Sequence, residues 1–146
     1  MIAIIDYGVG NLFSLNASIA KIGAQAVVTN DKKVIEEASH IILPGVGAFG
    51  DAINRLRQSG MDTILLNSAK TKPLLGICLG MQLLFEKSYE FGESTGLGLI
   101  KGEIIPLKNS ISSEFKVPHM GWNKLDITQP SPILKDVKEE EYTYFV

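Results

Sequence analysis

Leu74-Leu75-Gly76-Ile77-Cys78-Leu79-Gly80-Met81-Gln82-Leu83-Leu84-Phe85 decides the fold. Leu74 to Ile77 reads as a short apolar strand, and Leu79 to Phe85 as an apolar helix. Cys78 stands between them, with Gly76 and Gly80 two residues to either side. This is the elbow form Gly-x-nucleophile-x-Gly that α/β-hydrolases use for serine. So tight a turn forces its central residue into strained backbone, and the glycines relieve crowding against the neighbouring strand and helix. The helix start favours thiolate and aims the Leu79 backbone N–H at an oxyanion beside Cys78. On spacing alone, Cys78 is either such a nucleophile or a small buried hydrophobe, as free cysteines often are.

The preceding sequence supplies the sheet that an elbow needs. Ile2 to Ile5 is a short apolar run of the kind buried on both faces of a sheet, and Ala26 to Val28 and Ile41 to Leu43 read as further apolar strands. Leu12, Leu15, Ile19 and Ile22 recur at helical spacing behind Asn11, a good cap, and Gly23 closes the run. Lys32 to Ala38, Phe49 through Leu56, and Met61 to Ala69 read as further helices. The alternation predicts an α/β fold, a mostly parallel sheet with helices on both faces. After Phe91 the pattern becomes irregular, with strands expected at Glu103 to Leu107, Lys124 to Ile127 and Tyr142 to Val146.

Composition sets the outer bounds. A chain of 146 residues is the size of one domain. Apolar residues make up 45% and charged residues 21%, which excludes a disordered chain. Net charge is -2 and the longest basic run is Lys32-Lys33, so no nucleic-acid footprint is present. A single cysteine excludes a disulfide scaffold, and no apolar run is long enough to span a bilayer. The expectation is a soluble, cytoplasmic protein without a membrane role. Glu139-Glu140-Glu141 reads as a solvated face.

Open parallel sheets place their sites at the carboxyl ends of strands. Besides the elbow, two loops qualify. Pro44-Gly45-Val46-Gly47 is either a helix-initiating turn or the second half of an oxyanion hole. Tyr7-Gly8-Val9-Gly10 fails as a dinucleotide fingerprint, because Phe13 occupies the third glycine position. A cysteine nucleophile usually needs a base, and the chain has two histidines. His40 starts the third strand, about 10 Å or more from Pro44 and toward the wrong edge. His119 lies in Val117-Pro118-His119-Met120-Gly121-Trp122-Asn123, where it is a turn residue, a base or part of a partner surface.

Pro44 to Gly47, Gly76 to Leu84 and Pro118 to Asn123 together closely resemble the class I (triad-type) glutamine amidotransferases, in the right order along the whole chain. The last motif is similar to that of the glutaminase subunits of histidine biosynthesis. The resemblance implies a flavodoxin-like α/β fold and one glutamine amidotransferase domain over residues 1–146. It implies that Cys78 attacks the side-chain amide of glutamine, with the oxyanion held by N–H groups of Val46, Gly47 and Leu79. Gly45, Gly47, Gln82 and Glu90 would hold the substrate. Ammonia would pass to a (β/α)8-barrel synthase subunit, forming a heterodimer that makes imidazole glycerol phosphate. Gly10, Asn11, His119, Met120, Trp122 and Asn123 would face that partner. No cofactor and no metal is implied.

The family's histidine and glutamate lie in a His-Pro-Glu motif that residues 1–146 do not contain. The chain therefore reads as the N-terminal three quarters or so of a family member, expected to turn over little glutamine by itself. Two other readings remain at this point: a truncated, non-catalytic binding or regulatory relative, and an amidotransferase that feeds a sugar-modifying synthase. A related cysteine hydrolase would carry histidine immediately after the nucleophile, where this chain has Leu79.

Overall fold

Four short apolar runs pair in parallel to make the central sheet, in a computed structural model that describes residues 1–138 and 140–146. These are β1 (Ile2–Ile5), β2 (Ala26–Thr29), β3 (His40–Leu43) and β4 (Leu74–Gly76), in the order β2-β1-β3-β4. Side chains alternate across a strand, and the two faces bury different sets. Ala3, Ile5, Ile41 and Leu43 point into the larger core, with Ile35, Phe49, Ile53, Leu56 and Leu65. Ile4 and Ile42 point the other way, onto Ile19.

The helices follow that division. α1 (Leu12–Lys21) supplies Ile19 to the smaller cluster, and α2 (Lys32–Glu37), α3 (Phe49–Gln58) and α4 (Met61–Ser68) cover the opposite face. Both faces are covered, as the alternation predicts. The caps are those the sequence advertises. Asn11 accepts the Ser14 N–H at 3.2 Å, and Asp31 accepts that of Lys33 at 2.8 Å. Among the described residues no helix is long and apolar enough to cross a membrane.

The helix expected over Leu79 to Phe85 is a correction. α5 spans only Leu79–Gln82, and Phe85 opens a strand, β5 (Phe85–Ser88). The carbonyls that would continue the helix are taken by later chain: Leu97 donates to Leu83, and Leu99 and Ile100 donate to Leu84. Tertiary pairing overrides helical spacing here. β5 pairs with β6 (Ser94–Thr95) antiparallel and with β7 (Ile100–Ile104) parallel. The strand expected at Glu103 to Leu107 thus lies earlier. Lys87 and Glu103 pair across it at 3.1 Å, and the Gly102 N–H donates to the Glu86 carboxylate at 2.9 Å.

The described chain forms two compact units, Met1–Pro106 and Leu107–Val146. All of the elements above lie in the first. The second contains an antiparallel pair, β8 (Gly121–Lys124) and β9 (Tyr142–Phe145). β8 therefore precedes the position expected from Lys124 to Ile127. Cross-strand aromatics set the register: Trp122 meets Tyr144 edge-on with ring centroids 5.4 Å apart. Ile127 instead lines a hollow of about 490 Å³ with Pro130, Pro132, Leu134 and Val137. Of the acidic run, Glu139 lies outside the described residues, and Glu140 pairs with Lys124 at 3.2 Å.

Candidate active site

Cys78 has φ 55° and ψ −121° and is exposed. A non-glycine residue at positive φ costs about 1–3 kcal/mol and persists only where its surroundings impose it. Here they do. Ile77 donates its N–H to the Leu43 carbonyl at 3.0 Å, which fixes the residue before the elbow to β3. On the other side, Met81 and Gln82 donate to the Cys78 carbonyl at 2.9 and 3.2 Å, which starts α5. The exposure of the thiol removes the buried-hydrophobe reading. A helix of four residues has little macrodipole, so the charge benefit expected of a longer helix shrinks to the local N–H groups. The Leu79 N–H donates to no acceptor among the described residues.

The flanking glycines are steric necessities. A Cβ on Gly80 would collide with the Leu43 carbonyl oxygen, and one on Gly76 with the Met81 Cα. A Cβ on Gly45 would stand 2.5 Å from the Gly80 nitrogen and 2.9 Å from the Leu79 Cβ. The Pro44–Gly47 loop and the elbow are therefore in backbone contact. Pro44 and Gly45 are buried in that contact, whereas Val46 and Gly47 are exposed. The N–H groups of Gly45, Val46 and Gly47 have no protein acceptor among the described residues.

Two long-range hydrogen bonds hold this loop at its ends. At its start, the Tyr7 hydroxyl donates to the Pro44 carbonyl at 2.8 Å in buried surroundings. At its far end, the Glu90 carboxylate accepts the Phe49 N–H, the first of α3, at 2.8 Å. Glu90 is in turn oriented by its own N–H, donated to the Ser88 hydroxyl at 3.1 Å. Gln82, half-buried, sits at the end of α5. Sequence reasoning missed Tyr7, seen there only in a failed nucleotide motif. The adjacency of β1 and β3 is what brings it to Pro44.

Burial pushes the Tyr7 phenol from 10.0 up to about 12. The unfolded chain releases this proton near 10 while the folded protein keeps it. The stabilisation is therefore complete below pH 10 and is lost as pH rises from 10 toward 12. A shift of two units corresponds to about 3 kcal/mol. Urea denaturation across pH 9 to 12 is expected to show a steeper alkaline loss for the native chain than for Tyr7→Phe. Parallel curves would contradict this, and contributions common to both chains cancel.

His40 does not reach this site. It opens β3, three residues before Leu43, while Cys78 lies two residues past Gly76, the partner of Leu43 in the sheet. The separation along the strands is roughly 16 Å. His40 is exposed and sits 3.1 Å from the Ser39 hydroxyl. Gly10 and Asn11 lie in the β1–α1 loop of the first unit. In the second unit, the Asn123 amide donates to His119 Nε2 at 2.6 Å, and His119, Met120, Trp122 and Asn123 are all exposed.

A cysteine elbow on a parallel α/β sheet, with a glycine loop pressed against it, defines a class of cysteine-dependent α/β enzymes. Residues 3–146 match the glutamine amidotransferase class-I family, and the chain belongs to that family. Among its relatives, the protein described as imidazole glycerol phosphate synthase subunit HisH of Sulfurimonas denitrificans is 55% identical over 148 residues, covering 100% of this chain and 71% of its own. The protein so described in Wolinella succinogenes is 52% identical over 148 residues, covering 100% of this chain and 72% of its own. A solved structure described as a glutamine amidotransferase superposes with a TM-score of 0.73 at 15% identity, over 100% of this chain and 71% of that one. At that identity the likeness is one of fold.

Proposed function

We propose that the chain is the glutaminase subunit of an imidazole glycerol phosphate synthase, acting in the cytoplasm in histidine biosynthesis. The observation that carries this is Cys78, exposed at φ 55° with the Pro44–Gly47 loop in backbone contact behind it. The relatives' names supply the particular synthase. We read residues 1–146 as part of one amidotransferase domain.

In this reading, Cys78 Sγ attacks the side-chain amide carbon of glutamine. The amide oxygen becomes an oxyanion, held by the N–H groups of Leu79, Val46 and Gly47. Collapse of the intermediate breaks the C–N bond. The nitrogen leaves as ammonia, with a proton originating from the thiol, and a γ-glutamyl thioester remains. Water then hydrolyses the thioester to glutamate and restores the thiol. Proton transfer needs a base other than His40, and the family resemblance assigns it to a His-Pro-Glu motif. Gly45, Gly47, Gln82 and Glu90 hold the substrate, and the acidic side chain of Glu90 suits its ammonium group.

The ammonia passes to a (β/α)8-barrel synthase subunit, whose lyase reaction consumes it inside a heterodimer. Gly10 and Asn11 on the first unit, and His119, Met120, Trp122 and Asn123 on the second, face that partner. Exposed aromatic and Met side chains are typical of contact surfaces. The test is glutamate release from glutamine by the full-length gene product, alone and with the barrel subunit. Release is expected to rise when the partner is added. No release from the complex would reject the reading.

A further inference from the structure

The Pro44–Gly47 loop can hold an oxyanion only if its peptide planes point the right way. A trans peptide is planar, so the direction of the Pro44 carbonyl sets that of the Gly45 N–H, and the two point oppositely. The Pro44 carbonyl is buried and has a single donor among the described residues, the Tyr7 hydroxyl at 2.8 Å. Tyr7 is itself 6% exposed and packed in the larger core, so its ring is braced by its neighbours. A second contact comes from the same loop: a Cβ on Gly10 would stand 3.1 Å from the Pro44 Cβ. On its other side the Pro44–Gly47 loop is pressed against the elbow, through Gly45 and the Gly80 nitrogen.

We propose that Tyr7 is a positioning residue of the glutaminase site, its hydroxyl holding the Pro44–Gly45 peptide as the fixed anchor from which the loop presents the next N–H groups, those of Val46 and Gly47, to the oxyanion. This rests on the glutaminase reading above. The one side-chain hydrogen bond of Tyr7 among the described residues goes to the Pro44 carbonyl, so it acts through the loop. Loss of its hydroxyl leaves a buried carbonyl without a donor, and the peptide gains reason to rotate.

The test compares Tyr7→Phe with the native enzyme, each as the full-length gene product bound to its barrel partner. The ring, and hence the core packing, is retained. An oxyanion contact acts in the transition state, so kcat is expected to fall about tenfold while KM stays within about twofold. Alkylation of Cys78 by iodoacetamide passes through no tetrahedral oxyanion and is expected to proceed at the native rate. Backbone hydrogen exchange at Gly45, the loop's buried amide, is expected to accelerate. An unchanged kcat overturns the proposal, and so does a fall in kcat matched by an equal fall in alkylation. Should neither protein hydrolyse glutamine, the glutaminase reading fails. Exchange still decides whether Tyr7 holds the loop, and native exchange rates in the variant overturn that as well.

Discussion

Replacing Cys78 with alanine is expected to abolish glutamine hydrolysis by the complex, lowering kcat by about 10⁴ or more, as loss of a nucleophile does elsewhere. Alanine keeps the Cβ and therefore the same strain at φ 55°. The Ile77 bond to Leu43 and the turn that starts α5 are made by backbone alone. Stability and partner binding should accordingly stay near native, and the defect should be chemical. Glutamate release by the complex and chemical denaturation of the variant check the two halves. A variant within about tenfold of native turnover would mean that the thiol is not the nucleophile. A variant that fails to fold would mean that Cys78 is held by its sulfur as well as by its neighbours.

The legibility of Cys78 follows from locality. The requirement for glycine at 76 and 80 arises within one short stretch of chain, and the strand and turn on its N-terminal side are equally local. The two central runs of the sheet are legible for a related reason: β1 and β3 are buried on both faces after their first residue and have no polar position there to blur them, whereas β2 and β4 are edge strands with Val28 and Leu75 exposed. What the sequence hides are partnerships between distant residues. Tyr7 and Pro44 are 37 residues apart, and Glu90 and Phe49 are 41 apart. Nothing in the spacing of either pair announces a hydrogen bond. The early end of α5 has the same cause, because Leu97, Leu99 and Ile100 claim the carbonyls of Leu83 and Leu84. In the second unit, the apolar residues Leu125 and Ile127 suggest a strand at Lys124 to Ile127, but the pairing of Trp122 with Tyr144 sets it at Gly121–Lys124.

Gly80→Ala tests the elbow as a mechanical part and is expected to be among the most damaging substitutions of a single methyl group. The new Cβ would meet the Leu43 carbonyl oxygen, with the Leu43 carbon at 2.7 Å and the Pro44 carbon at 2.9 Å. All three are backbone atoms, so no side chain can swing aside. Moving the Leu43 carbonyl breaks its bond from Ile77, and moving α5 instead separates Gly80 from Gly45. Either response costs roughly 3 kcal/mol, the upper range for overpacking. Gly23→Ala supplies the control. Gly23 has φ 77°, and a Cβ there would meet nothing within 4 Å, so its substitution costs only the left-handed backbone term of about 1 kcal/mol. Urea denaturation of the two variants side by side gives the difference. In the fraction of Gly80→Ala that folds, a displacement of about 1 Å between Cys78 and the loop is expected to lower kcat about 100-fold. If Gly80→Ala is no less stable than Gly23→Ala, the close contact between α5 and β3 is not rigid. Cys78 and the Pro44–Gly47 loop would then be two independent pieces, and the one-unit geometry on which the glutaminase reading depends would be lost.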